Sequence, residues 1–262
     1  MLIFFTRFAS CRNSILSRYS ALVIFFLTVA VFPGSVYAQD RDIVILLHGL
    51  GRTSKSMEPL QYRLTLEGYK VFNIAYPSRK DKIENLVEFI RQELKTCCTD
   101  GTDKLHFVTH SLGGILVRGY LSNYRPQNLG RVVMLSPPNK GSDVVDFFGD
   151  YSLFEYFFGP AATELGTGRD SFPNTLGPAD FEVGIITGSR TIDPLSSWII
   201  DGDDDGKVSI EQARLEGMAD FMVVPVSHAF IMSNQEVIDQ VIFFLQNGRF
   251  NSQQNQSLQD FK

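Results

Sequence analysis

Leu105-His106-Phe107-Val108-Thr109-His110-Ser111-Leu112-Gly113-Gly114 decides the fold of this chain. The apolar run Leu105 to Thr109 reads as a buried strand, and it passes straight into Ser111 and a helix running to about Leu121. A strand that feeds a helix without a hairpin turn is the repeating unit of a parallel sheet covered by helices. So sharp a turn needs small residues beside it for the backbone to close, and it holds the Ser111 hydroxyl out of the sheet.

Outward from this unit the same alternation recurs. Buried-strand runs are predicted at 43–47, 69–75, 131–135, 181–187 and 221–226, with helices near 57–67, from Ile83 to Leu94, and over about 235–246. The second of these carries Ile83, Leu86, Val87, Ile90 and Leu94 at helical spacing. The expected fold class is α/β, a mainly parallel, doubly wound sheet. One stretch, 143–177, breaks the pattern and is read as an aromatic-rich insertion over the sheet, with Phe147, Phe148, Tyr151, Phe154, Tyr156, Phe157 and Phe158. Most of these rings are expected to pack a helix on the core, and some to line an apolar pocket or form a lid.

Residues 1–38 read as an export signal: Arg7, Arg12 and Arg18 with no acidic residue, the apolar core Ala21 to Phe32, and small residues ending at Ala38. The expectation is cleavage before Gln39 and a periplasmic or secreted domain over 39–247, followed by a disordered tail at 248–262 rich in Gln, Asn and Ser. Beyond the leader the chain has 21 Lys and Arg against 29 Asp and Glu, a balance that argues against nucleic-acid binding. Of three cysteines, Cys97 and Cys98 are adjacent and are read as unpaired, since a disulfide between neighbours is strained. Neither a metal site nor a cofactor is expected.

Thr109-His110-Ser111-Leu112-Gly113 resembles the nucleophile elbow of the α/β-hydrolases, G-x-S-x-G, with Thr109 in place of the first Gly. His48-Gly49-Leu50-Gly51, directly after the first strand, is similar to the family's oxyanion loop. The resemblance implies the α/β-hydrolase fold with an acyl-enzyme mechanism: Ser111 as nucleophile, and the backbone N–H groups of Leu50 and Leu112 holding the oxyanion. The family's chain order is nucleophile, acid, histidine; of the four histidines only His228 follows Ser111, so it is the implied base.

The acid is expected after the fifth strand, where Asp193, Asp201, Asp203, Asp204 and Asp205 are all available. The segment Asp204-Asp205-Gly206-Lys207-Val208-Ser209 resembles the D-G-x-V stretch of bacterial lipases, which selects Asp205 over Asp203 and Asp204. The same aspartates match the opening of an EF-hand calcium loop, but position 212 is Gln rather than Glu and no helix is predicted before Asp201. The function implied is hydrolysis of carboxylic esters, small or lipid, with membrane-surface contact through the aromatic insertion. An acyltransferase on the same site and a non-catalytic calcium module are the alternatives. Arg118, Asn139 and Lys140 receive no role.

Overall fold

A computed structural model describes residues 42–98 and 103–252. The expected signal and its cleavage point lie outside these residues, as do the last ten residues of the expected tail. Six strands form one parallel sheet: β1 (Ile43–Leu47), β2 (Lys70–Ile74), β3 (Leu105–His110), β4 (Leu129–Leu135), β5 (Val183–Gly188) and β6 (Asp220–Val224), ordered β2-β1-β3-β4-β5-β6. Every strand predicted from sequence is present, with ends differing by one or two residues.

Alternation along the strands builds two apolar layers. Ile43, Ile45 and Leu47 with Leu105, Phe107, Val132 and Met134 face α2 (Ile83–Cys97) and α3 (Leu112–Asn123). Val44, Leu46, Val108, Val133 and Leu135 face the other way, against α1 (Glu58–Leu66) and α9 (Gln235–Asn247). All five apolar residues singled out in the second predicted helix are buried on one stripe of α2. Burial on both faces explains why β1 and β3 read as continuous apolar runs.

The order reverses at β1, where the chain goes first to β2 and then returns to lay β3 on the other side. At such a point the loops leaving neighbouring strands diverge and open a crevice at their carboxyl ends. The loops after β1 and β3, which carry His48-Gly49-Leu50 and Ser111, leave from this point.

Three expectations are corrected. Cys97 and Cys98 are joined to each other. Cys98 has left helical backbone (φ −139°, ψ 33°), so the neighbouring side chains lose their helical spacing and can meet. The tail is packed at its start: Phe250 is buried against Phe244, and Asn251 N–H donates to Gln240. The insertion does not pack most of its aromatics inward. Its four short helices, α4 (Asp143–Phe148), α5 (Ser152–Phe158), α6 (Pro160–Thr163) and α7 (Phe172–Thr175), leave Phe147, Tyr151, Tyr156, Phe157 and Phe158 exposed, while Phe154 packs against the core.

The start of α3 presses on the end of β1 at Gly113, where an added Cβ would stand 2.6 Å from Leu47 O and 2.9 Å from His48 O. Both obstacles are backbone and cannot rotate away. Gly113→Val is therefore expected to cost about 3 kcal/mol or more of stability, read as a fall in denaturation midpoint. A variant as stable as the wild type would contradict this packing.

Candidate active site

Ser111 sits between β3 and α3 with φ 52° and ψ −121°, a conformation that non-glycine residues avoid. Its N–H donates to Leu135 O of β4 (2.9 Å) and its carbonyl accepts from Gly114 N–H (2.8 Å), so both sides of the turn are pinned. The hydroxyl makes no hydrogen bond among the described residues.

Leu112 is the first residue of α3, and its N–H has no acceptor within the helix. In the turn after β1, Arg52 N–H bonds Gly49 O and Gly51 N–H bonds Ser78 Oγ, while the N–H of Leu50 has no acceptor among the described residues. The turn is stiffened by groups the sequence reading passed over. Tyr76 stacks on the buried His48 ring at 4.1 Å and donates its hydroxyl proton to His48 O (2.5 Å). Tyr76 and Ser78 follow β2, and only their place at a strand's carboxyl end could have marked them.

His228 follows β6 and is tied down twice by one residue. Its Nδ1–H donates to Asp205 Oδ2 at 2.8 Å, and its backbone N–H donates to Asp205 O at 2.9 Å. An ionised carboxylate only accepts, so the proton of the neutral ring resides on Nδ1 and Nε2 keeps its lone pair. On the far side His110 Nε2–H donates to His228 O at 3.1 Å. His110 is fully buried, and this burial holds its pKa well below 6.5, so it serves as a neutral donor.

Asp205 has no exposed side-chain surface. Its Oδ1 accepts from the N–H groups of Lys207 and Val208, both at 3.0 Å, leaving Oδ2 for His228. Burial is the largest influence and pushes the carboxyl up. His228, the nearby Ser136 hydroxyl and the Val208 N–H together outweigh it, and the pKa lies below the ordinary carboxylate value. Ser136, buried at the end of β4 with φ 47°, approaches this carboxylate without meeting hydrogen-bond geometry.

The other aspartates of the loop are elsewhere. Asp204 Oδ1 accepts from Ser197 Oγ and Gly206 N–H, both at 2.6 Å, while Asp201 and Asp203 are exposed. Asp193 caps α8 (Pro194–Ile199) through Ser196 N–H and pairs with Lys207 at 2.6 Å, which takes its pKa to about 2. α8 was not predicted, although Asp193-Pro194 is a helix-start signal. The EF-hand reading does not hold, because Asp205 turns inward to His228. No three His, Cys, Asp or Glu side chains are placed to hold a metal among the described residues.

Ser111, Leu50, Asp205 and His228 meet at a cavity of about 350 Å³ whose apolar lining includes Val144, Val145, Phe154, Phe158 and Leu165. A second groove of about 420 Å³ shares Val144, Phe154 and Phe158 with it and extends over Phe148, Tyr151 and Phe157. Arg118, given no role from sequence, ties α3 to Asn139 and to the end of the insertion. It is buried on α3 and donates to Asn139 O and Oδ1, Pro173 O and Gly177 O at 2.8–3.2 Å, and burial lowers its pKa to about 10. Asn139 in turn donates to Ala213 O, and Lys140 N–H to Gln212 O.

A nucleophile candidate on a strained turn, a histidine in a fixed tautomer, a sealed carboxylate and two free N–H groups form an arrangement suited to acyl transfer. Comparison with known proteins agrees. The sequence profile of the palmitoyl protein thioesterase family matches residues 43–168. A triacylglycerol lipase of Burkholderia plantarii is 31% identical over 140 residues, 47% of this chain and 38% of that protein. One of Pseudarthrobacter phenanthrenivorans is 31% identical over 126 residues, again 38% of its length, so the matched part spans well under half of these curated relatives. Among solved structures, phospholipase PlaB from Legionella pneumophila superposes with a TM-score of 0.63 at 18% identity, over 80% of this chain and 60% of that one. The mature lipase BlEst2 of Bacillus licheniformis gives 0.58 at 19% identity, over 79% and 93%. The fold of this chain is that of the α/β-hydrolases, in the company of lipases and esterases.

Proposed function

We propose that this protein hydrolyses carboxylic esters of apolar acids through an acyl-enzyme, with Ser111 as nucleophile, His228 as base and Asp205 as acid. The observation that carries the reading is the Asp205–His228 pair, 2.8 Å apart, facing the apolar cavity that holds Ser111. Similarity to triacylglycerol lipases over part of the chain supports the same chemistry.

In the reaction, Ser111 Oγ attacks the ester carbonyl while His228 Nε2 takes its proton. The developing oxyanion is held by the N–H groups of Leu50 and Leu112. His228 returns the proton to the departing alcohol as the carbonyl–oxygen bond breaks, and water then repeats the sequence on the acyl-enzyme. Asp205 stabilises the imidazolium formed at each step. The exposed rings Phe157 and Phe158 of α5, with Ile192 and Leu195 around the start of α8, border the cavity and the groove joined to it with apolar surface. That surface supports contact with a lipid interface, and the leader supports action outside the cytoplasm.

Ser111→Ala is expected to lower ester turnover about 10⁴-fold or more while leaving the melting temperature unchanged; retention of substantial activity would remove Ser111 from its role. Wild-type kcat/KM on esters of rising acyl length should increase, with about 0.8 kcal/mol per buried methylene as the upper limit, so four methylenes give at most roughly two hundredfold. A preference for acetate would exclude the cavity as an acyl site.

Asp205→Asn is expected to cost about 10⁴ in kcat, against much smaller losses for Asp203→Asn and Asp204→Asn. Stability gives a second readout. Because the folded pKa of Asp205 is depressed, its ionised form stabilises the fold above the unfolded value of about 3.9, and that contribution disappears as pH falls through the folded value. The melting-temperature gap between wild type and Asp205→Asn should therefore narrow between pH 6 and pH 3. A gap that widens on acidification would contradict the direction of the shift.

A further inference from the structure

The charges around the cavity are not equivalent. Asp193 and Lys207 neutralise each other at 2.6 Å, and Asp205 is sealed against His228. Arg52 lines the same cavity, is exposed, and forms no ion pair with any described carboxylate. Its guanidinium makes one hydrogen bond among the described residues, from Nη2 to Ala229 O at 3.2 Å, which leaves most of its five N–H donors available. A second arginine, Arg79, lies with its Cδ against Gly51 of the oxyanion turn and likewise has no carboxylate partner among the described residues; its Nη1 donates to Phe157 O at 3.2 Å. Arg79 thus turns its guanidinium to the insertion, and Arg52 is left as an uncompensated guanidinium at the cavity of a chain that carries more acidic than basic residues.

The anchor of Arg52 places it relative to the reaction. Ala229 is the residue after His228, and the histidine must hand its proton to the departing group, so that group leaves on the His228 side. The apolar rings Phe154 and Phe158 belong to the insertion instead. Guanidinium matches phosphate oxygens in a forked geometry that a neutral alcohol cannot use.

We propose that Arg52 selects esters or thioesters whose leaving group carries a phosphate. This deepens the hydrolase reading and rests on it. The shared chemistry has two sources, a glycerophosphate oxygen ester and a phosphopantetheine thioester, and paired substrates separate them. The probes are hexanoylglycerol against hexanoylglycerol phosphate, and hexanoyl-pantetheine against its 4′-phosphate, all as soluble monomers.

For the source used, wild-type kcat/KM should favour the phosphorylated member at least tenfold, and the ratio should fall with rising salt because the pair is exposed to solvent. Arg52→Gln should collapse the ratio towards one, whereas Arg52→Lys, which keeps the charge but loses the fork, should retain part of it. A purely structural tie to Ala229 would lower both members of a pair equally and leave the ratio intact, which overturns the proposal. So does a wild-type ratio near one in both pairs. Calorimetric binding of the same compounds to Ser111→Ala protein, with and without Arg52→Gln, reads the charge preference without turnover. Loss of that preference in the double variant supports selection by Arg52, and its absence in Ser111→Ala overturns it. Failure of wild-type protein to cleave any of the four would instead count against the hydrolase reading.

Discussion

The turn at Ser111 is the constraint from which the rest of the site follows. A backbone at φ 52° is held there by what surrounds it: Ser111 N–H is bonded to β4 on one side, while α3 bears on β1 through Gly113 on the other. The contact that forces the turn also brings the start of α3 beside the carbonyl of His48, next to Gly49 and Leu50. Strain at the serine and proximity of the two free N–H groups are thus one packing arrangement. A longer connection between β3 and α3 would relieve the strain and separate the donors.

The acid loop faces the opposite problem, an ionised group with no access to water. Desolvation alone would raise the Asp205 pKa and neutralise the carboxyl, removing the charge that fixes the histidine tautomer. The loop answers locally. It wraps its own Lys207 and Val208 N–H groups around one oxygen, so that the other has a single partner and a single direction. Because His228 is bonded to Asp205 through both ring and backbone, imidazole and carboxylate move as one unit.

Legibility in the sequence followed the physics of each element. The strands were readable because burial on both faces demands unbroken apolar runs, and α2 because its five buried residues keep one stripe. Ser111 and His228 could be nominated because the resemblance to the elbow and the family's chain order single them out. Among the aspartates, spacing left three neighbours open and only a family resemblance chose Asp205; the difference between them is which carboxylate faces inward, a tertiary fact. His110, Tyr76 and Ser78 act through backbone groups of distant loops, so no local pattern records their partners. The short α8 escaped because six residues give too little periodicity to register, despite the Asp193-Pro194 signal at its start.

The aromatic insertion was misjudged for an instructive reason. Aromatics at helical spacing are normally core, and the expectation would hold if α5 had a layer above it to pack against. Within α5 only Phe154 packs against the core; Phe158 lines the cavity, and Tyr156 and Phe157 are exposed. Such a surface opposes solubility, and a fold that needed it only for stability would turn it inward. Instead the chain anchors the far end of the insertion from below, through a buried arginine that bonds four carbonyl-type oxygens and no carboxylate. Neutral acceptors let Arg118 keep its charge without a buried anion, so the end of the insertion is tied to α3 while its aromatic crest stays exposed.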